Sequence, residues 1–119
     1  MDNIVEIKAT QLPCGNYKAE FLGTEMVDHE EYGAGIRWKF QVIDENEFEG
    51  FETSKTTAPH ATTKNGTGRI LAAISGLGRI DPTLGKVDLS TYIGQVYALQ
   101  VIENSNGGTK IDSIQPSQF

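Results

Sequence analysis

Seven consecutive residues near the middle of the chain, 36–42, alternate strictly between apolar and polar side chains. One parity carries four large apolar groups and the other carries two cations and an amide: Ile36, Trp38, Phe40 and Val42 against Arg37, Lys39 and Gln41. Successive side chains of a β-strand point to opposite faces of the sheet. The pattern therefore predicts a strand with Trp38 and Phe40 in the core and with Arg37 and Lys39 exposed.

Four further segments have the composition or alternation of strands, at residues 17–27, 51–57, 95–103 and 109–114. Gly23 interrupts the first of them, as glycine does at a bulge or a sharp bend. Between the third and fourth strands, Ile70, Ile74 and Leu77 recur at helical spacing and predict a short helix within residues 64–77.

The predicted order is β-β-β-α-β-β. Three strands, one helix and two strands indicate an all-β domain with one helix, a five-stranded Greek-key barrel of the OB type. A ferredoxin-like sandwich would need a second helix. With 119 residues the chain has room for one hydrophobic core. We expect a single OB-like domain over residues 1–115 and a short tail over 116–119.

The charge is unevenly distributed along the chain. The formal net charge is −6, which taken alone argues against a nucleic-acid partner. Half of the 16 acidic residues, however, fall between residues 28 and 52, mostly in two connecting segments. The sign of the charge on each face therefore matters more than the total.

Two features bear on the compartment. No apolar stretch approaches the roughly 18 residues of a membrane span, and residues 1–10 do not resemble a secretory signal. Cys14 is the only cysteine, which excludes an internal disulfide. We expect a cytoplasmic protein in which Cys14 is a half-buried structural thiol.

Several short motifs carry a family resemblance: Leu12-Pro-Cys-Gly-Asn-Tyr17, Phe48-Glu-Gly50, Lys64-Asn-Gly-Thr-Gly-Arg69 before the helix, and Leu89-Ser-Thr-Tyr-Ile-Gly94. With these and its aromatic-rich second strand, the chain resembles, over residues 12–115, small bacteriophage-encoded OB-fold proteins that bind single-stranded DNA. The resemblance implies sequence-tolerant binding of single strands during phage replication or recombination, in the host cytoplasm. Phage or host replication and recombination proteins, and further copies of the chain, are the partners it suggests.

The residues themselves offer a matching site. OB folds bind oligonucleotides across strands two and three, between the loops that join strands one and two and strands four and five. Single-strand binders combine cations with flat side chains on which bases stack. The expected contacts on this face are Arg37, Lys39, Lys55, Tyr32 in the first loop and Lys110 beside the second.

The start of the helix is a second candidate contact. Lys64 and Arg69 flank a glycine-rich segment whose backbone amides would face a phosphate. The segment lacks the pattern of a nucleotide-triphosphate loop. The simpler interpretation is a helix start shaped by glycines.

Two alternatives to nucleic-acid binding remain open from the sequence. Arg37 and Lys39 would be merely the solvated side of an amphipathic strand if Glu52 and its neighbours pair with them. An acidic OB-fold module that engages a basic protein partner would neutralise the same two cations in this way.

Nothing in the sequence indicates an enzyme. His29 and His60 lie in separate loops, and no cysteine or histidine spacing matches a zinc site. No arrangement of nucleophile and base is present. We therefore expect no catalytic residue, no metal and no cofactor.

Overall fold

The computed structural model describes residues 12–31, 33–62, 65–76 and 87–116. Over these residues the chain forms five strands, one α-helix and one 3₁₀ turn. The strands are β1 (Gly15–His29), β2 (Gly33–Val42), β3 (Glu52–Thr57), β4 (Val96–Glu103) and β5 (Thr109–Pro116). The helix α1 spans Gly66–Ser75, and the 3₁₀ turn spans Ser90–Tyr92.

The order of elements is the predicted one, and the differences lie at the boundaries. β1 is longer at both ends than predicted, and β2 takes in residues 33–35, which the sequence suggested as loop. Pro116, predicted as the first residue of the tail, belongs to β5 and lies opposite Tyr97, and residues 117–119 lie outside the described residues.

The strands form one antiparallel sheet in the order β3-β2-β1-β4-β5. This is the OB-type Greek-key arrangement that the sequence predicts, opened along the seam between β3 and β5. The sheet is not closed there by strand pairing. Instead the ammonium Nζ of Lys55 on β3 donates a hydrogen bond of 2.8 Å to the carbonyl oxygen of Ile111 on β5.

Four aromatic side chains form the centre of the core: Phe21, Trp38, Phe40 and Tyr97. Their neighbouring ring centroids lie between 5.6 and 6.4 Å apart, in tilted or edge-to-face arrangements. Pairs of this kind contribute about 0.5–1.5 kcal/mol each beyond the area they bury. Trp38 is 1% exposed and Phe40 is fully buried, which confirms the predicted inward parity of β2.

Two buried polar atoms tie this core to its surroundings. The indole Nε1 of Trp38 donates to Oγ1 of Thr57 at 2.8 Å, which joins β2 to β3. The hydroxyl of Tyr97 donates to the carbonyl oxygen of Ile74 at 2.6 Å, which joins β4 to α1. Because both donors are satisfied, these two rings enter the core without an unpaired polar group.

A bulge in β1 interrupts its pairing with β2 between Phe21 and Gly23. Gly23 has φ +119°, a conformation that favours glycine. The extra residue reverses the alternation along β1. Phe21 therefore points inward, whereas Glu25, of the same parity, lies opposite Arg37 on the outer face.

Cys14 is exposed, so the prediction of a half-buried thiol is wrong. The side chain that enters the core before β1 is Leu12, which is 2% exposed, and the next is Tyr17. Cys14 lies between these two anchors, in the exposed stretch of residues 13–16. Within the described residues, no helix has the length and apolar character needed to cross a membrane.

Asn65 organises the start of α1. Its Oδ1 accepts hydrogen bonds from the backbone amides of Gly68 at 2.8 Å and Thr62 at 3.0 Å, and its Nδ2 donates to the carbonyl oxygen of His60 at 2.8 Å. Asn65 is thus the N-cap residue and also holds the preceding loop against the helix.

Replacing Asn65 with alanine is expected to lower the free energy of unfolding by about 1–2 kcal/mol, because the cap and both hydrogen bonds to the loop disappear together. Urea denaturation measures the change. Ser75→Ala, at the other end of α1, is the matched control and should change stability by less than about 0.5 kcal/mol. Equal effects of the two substitutions would contradict the role of Asn65.

Tyr97 makes the fold sensitive to alkaline conditions. Burial, and secondarily the nearby Tyr92, raises the pKa of Tyr97 above its ordinary value of 10.0. The neutral phenol is therefore the form that the fold stabilises. The stability that the buried neutral phenol adds to the fold is fully present below pH 10 and is lost as the pH rises through the raised pKa of Tyr97.

We expect Tyr97→Phe to lose about 1 kcal/mol at neutral pH, because its hydrogen bond to Ile74 disappears. Above pH 10 the variant should lose less stability per pH unit than the wild type. Urea denaturation between pH 8 and 11 tests this. A residual alkaline slope is expected from Tyr17, whose pKa is also raised by burial. Identical slopes for variant and wild type would contradict the assignment.

Candidate functional site

Arg37 and Lys39 lie on the outer face of β2, as predicted, with side chains 43% and 40% exposed. Both pair with the same carboxylate: Arg37 Nη1 lies 3.1 Å from Glu25 Oε1, and Lys39 Nζ lies 3.7 Å from Glu25 Oε2. The sequence suggested Glu52 as their acidic neighbour. The structure gives this role to Glu25, which the bulge in β1 brings to the outer face.

Lys55 does not share this face, and the expectation that it extends the cationic stripe across β3 is wrong. In the pairing of β2 with β3, Lys55 lies opposite the inward-facing Trp38, whereas Thr56 lies opposite Arg37. The outward positions of β3 carry Glu52, Ser54 and Thr56, all exposed. The outer face of β2 and β3 therefore combines two cations with hydroxyl groups and the carboxylate of Glu52.

Lys55 belongs to a second group of cations at the β3–β5 seam. Burial lowers its pKa, the positive charges of Lys110 and Arg69 lower it further, and Asp112 opposes them. Lys110 and Arg69 are themselves exposed. Two of the predicted contact residues, Lys55 and Lys110, thus lie at the seam, and Arg69 on α1 is close enough to contribute to lowering the pKa of Lys55.

Two hollows lie along the outer surface of β2 and β3. The outer hollow, of about 160 Å³, is lined by Leu22, Arg37, Lys39, Glu52, Thr53 and Ser54. The tip hollow, of about 480 Å³, lies near the β1–β2 turn and is lined by Val27, Asp28, Gly33, Ala34, Gly35, Arg37, Thr56, Thr57 and Ala58. Arg37 lines both, so the two hollows adjoin at its side chain.

A third hollow lies in the seam. The seam hollow, of about 240 Å³, is lined by Leu12, Phe51, Glu52, Thr53, Ser54, Val101, Thr109, Lys110 and Ile111. It shares three residues of β3 with the outer hollow: Glu52, Thr53 and Ser54. The three hollows thus follow one another from the β1–β2 turn, over β2 and β3, to the seam, and each shares lining residues with the next. We call this series of hollows the path.

The path provides several kinds of contact. Its cations are Arg37, Lys39 and Lys110, and its hydroxyl groups come from serine and threonine residues of β3 and β5. Phe51 is the one aromatic residue among the described residues that line the hollows; it is half-buried and lies in the seam hollow. Phe51 also packs against the hydrophobic core. Sequence reasoning missed it as a contact, because its position at the start of the third predicted strand gave no sign that it borders a hollow.

Two of the predicted contacts, Tyr32 and Lys64, lie outside the described residues. Arg69 is exposed on the first turn of α1 and stands with the seam group. Sequence reasoning also missed Glu25. The glycine at position 23 was the available signal, since a bulge there reverses the parity of every later residue in β1.

Comparisons with known proteins identify no family for this chain. No protein-family model matches the chain, and no curated protein matches it. Within the described part of the chain, no group of three or more histidine, cysteine or acidic side chains is arranged to bind a metal ion. The functional argument therefore depends on the path across β2 and β3 and on its charges.

Proposed function

We propose that the protein is a non-catalytic single-stranded DNA-binding protein that holds the strand across the outer surface of β2 and β3. The observation that carries this proposal is the series of three hollows with shared lining residues, which are lined by the cations Arg37, Lys39 and Lys110. Cations that track phosphates along a groove are the first requirement of sequence-tolerant single-strand binding.

The rest of the path suits the same ligand. Exposed hydroxyls such as Ser54 and Thr56 donate hydrogen bonds to phosphate and sugar oxygens without reading sequence. Phe51 offers a ring edge or face in the seam hollow, where a base would stack. The proposed role is in replication or recombination of a phage genome in its host, as the family resemblance suggests.

The acidic residues limit where the DNA would run. Asp44, Glu45, Glu47 and Glu49 lie in the connection between β2 and β3 and line none of the three hollows. Two other carboxylates lie in the path itself: Glu52 lines the outer and seam hollows, and Asp28 lines the tip hollow. Repulsion from the β2–β3 connection would keep binding away from that end of the sheet and lower the non-specific affinity for duplex DNA. We therefore propose binding of moderate affinity that weakens steeply as salt rises.

One observation favours a second function. In the free protein Glu25 pairs with both outer cations, so the outer face carries little net positive charge. An acidic OB-fold module that engages a basic protein partner would have this property. In that case the acidic β2–β3 connection, rather than the three hollows, would be the contact surface.

Replacing Arg37 and Lys39 together with alanine is expected to weaken binding to oligo-dT. The slope of log affinity against log salt should fall by about 0.7 for each phosphate that the variant no longer binds. Thermal stability should change little, because exposed ion pairs contribute only about 0–1 kcal/mol. Fluorescence anisotropy at several salt concentrations measures the affinity and its slope, and thermal denaturation measures the stability. Lys18→Ala, an exposed cation of β1 that lines none of the hollows, is the control.

The wild-type protein decides between the two functions. If it fails to bind oligo-dT even at low salt, single-strand binding is refuted. Binding that persists unchanged in the Arg37→Ala, Lys39→Ala double variant would place the DNA elsewhere on the surface.

Glu25 is expected to compete with the phosphates for Arg37 and Lys39. Replacing Glu25 with glutamine should raise the affinity for oligo-dT by about 3- to 10-fold and steepen its salt dependence, because two internal ion pairs no longer have to be broken. Glu20→Gln makes the same change of charge on the outer face of the same strand. Glu20 forms no ion pair with either cation.

The comparison of the two variants isolates the effect of pairing from the effect of net charge. Equal gains in affinity for Glu25→Gln and Glu20→Gln would show that Glu25 does not compete specifically. Titrations of both variants under the same buffer conditions as the wild type provide the measurement.

A further inference from the structure

The outer half of β1 has a strand partner on one side only. β1 pairs with β2 from Ala19 to His29, whereas its pairing with β4 covers Gly15–Glu20. Beyond that pairing, Phe21 exchanges two further backbone hydrogen bonds of 2.9 Å with residues 94 and 95. Within the described residues, no strand pairs with the later part of β1 on the side away from β2. We call residues 24–28 the free edge.

The hydrogen bonds of β2 show which residues of β1 turn their backbone groups toward the free edge. The amide of Ile43 donates to the carbonyl oxygen of Lys18 on β1, and the bonding direction alternates along each strand of an antiparallel pair. Odd-numbered residues of β2 therefore face β1, and their partners within the free edge are Glu25 and Val27. The residues that turn their N–H and C=O groups away from β2 are Thr24, Met26 and Asp28.

The free edge lacks the features that usually prevent a sheet edge from pairing. Sheets protect exposed edges with lysine, proline or a bulge. Residues 24–28 contain neither lysine nor proline, and the bulge of β1 lies before them. Met26, in the middle of the free edge, is 66% exposed, compared with 52% for Ile93 and 37% for Ile43. A large apolar side chain is thus exposed beside unpaired backbone groups.

The sequence of the free edge is complementary to itself. When two copies pair antiparallel about a two-fold axis at Met26, the two Met26 side chains lie opposite each other and cover each other. Thr24 then lies opposite Asp28 of the second copy, where its hydroxyl can donate to the carboxylate. Glu25 lies opposite Val27 of the second copy, so no two like charges are directly opposed.

The same register satisfies the backbone. The N–H and C=O groups of Thr24, Met26 and Asp28 in one copy meet those of Asp28, Met26 and Thr24 in the other. Glu25 remains free to pair with Arg37 and Lys39 on the outer face, as it does in the single chain. The pairing therefore requires no existing contact of the described residues to break.

We propose that two copies of the chain associate through antiparallel pairing of their free edges, with Met26 at the two-fold axis. Two five-stranded sheets then become one sheet of ten strands. Directly opposed residues of an antiparallel pair lie on the same face, so the cations Arg37 and Lys39 of both copies share one face of that sheet. This association does not depend on single-strand binding and is tested without DNA.

Sedimentation equilibrium tests the association at protein concentrations up to about 0.5 mM, because pairing of two short edges is a small and weak interface. The average mass of the wild type should rise with concentration from that of one chain toward twice that value. Met26→Lys should stay at the mass of one chain, because it places two like charges opposite each other at the axis. Ile43→Lys makes the same change at an exposed apolar residue outside the free edge and should associate like the wild type. Circular dichroism confirms that both variants fold.

Introduced thiols test the register. The Cα atoms of a hydrogen-bonded antiparallel pair lie about 5.5 Å apart, which a disulfide can span. In a Cys14→Ser background, Met26→Cys should therefore give a covalent dimer under mild oxidation. Thr24→Cys is the control at an exposed position of the same edge. Its two copies lie four residues apart along the paired strands, about 13 Å, and should not cross-link.

Each contrary result refutes the pairing. The wild type would remain a single chain at the highest concentration, or it would associate and Met26→Lys would associate equally well. Loss of association in both lysine variants would indicate general apolar contact instead of edge pairing. Cross-linking of Thr24→Cys in place of Met26→Cys would exclude the two-fold axis at Met26. None of these results bears on the binding of oligo-dT, which is measured separately.

Discussion

The register of β1 against β2 determines both the core and the outer face of this protein. Phe21 and Phe40 lie opposite each other and pack at 5.6 Å between ring centroids, which fixes that register. A slip of one residue would move Trp38 to solvent and Arg37 into the core. The free energy lost by exposing the indole ring and burying the guanidinium group would not be offset by other contacts of these side chains. The cations of the outer face are therefore held in place by aromatic rings on the opposite side of the same strand.

The bulge in β1 adds a second consequence to this register. Without it Glu25 would follow the parity of Phe21 and lie on the face opposite to Arg37 and Lys39, where it could pair with neither. With it, Glu25 lies between Arg37 and Lys39. Glu25 thus balances part of the positive charge of these two cations. Under the proposed function a phosphate would compete with this carboxylate for Arg37 and Lys39, and the acidic residues elsewhere in a chain of net charge −6 would repel it.

Alternation within a strand was the reliable guide to structure. It predicted the buried parity of Trp38 and the exposed parity of Arg37, because side-chain direction along a strand without a bulge depends only on sequence spacing. Alternation did not predict which residues of neighbouring strands lie opposite each other. Lys55 was assigned to the wrong face because the pairing of β3 depends on the length of the β2–β3 connection. Glu25 was overlooked because a bulge changes parity at one residue, and glycine alone does not show on which side the extra residue falls.

Lys55 contributes to the site through its hydrogen bond across the seam, and not as a cation of the outer face as its charge suggested. Hydrogen-bonded strands lie about 4.8 Å apart, and direct pairing of β3 with β5 would leave no space between them. A lysine side chain that reaches from β3 to the carbonyl of Ile111 holds the two edges together at a greater distance. A charged side chain at this position also discourages another strand from pairing with the exposed edge. The seam hollow with Phe51 and Lys110 therefore exists because β3 and β5 are joined by a side-chain hydrogen bond and not by backbone pairing.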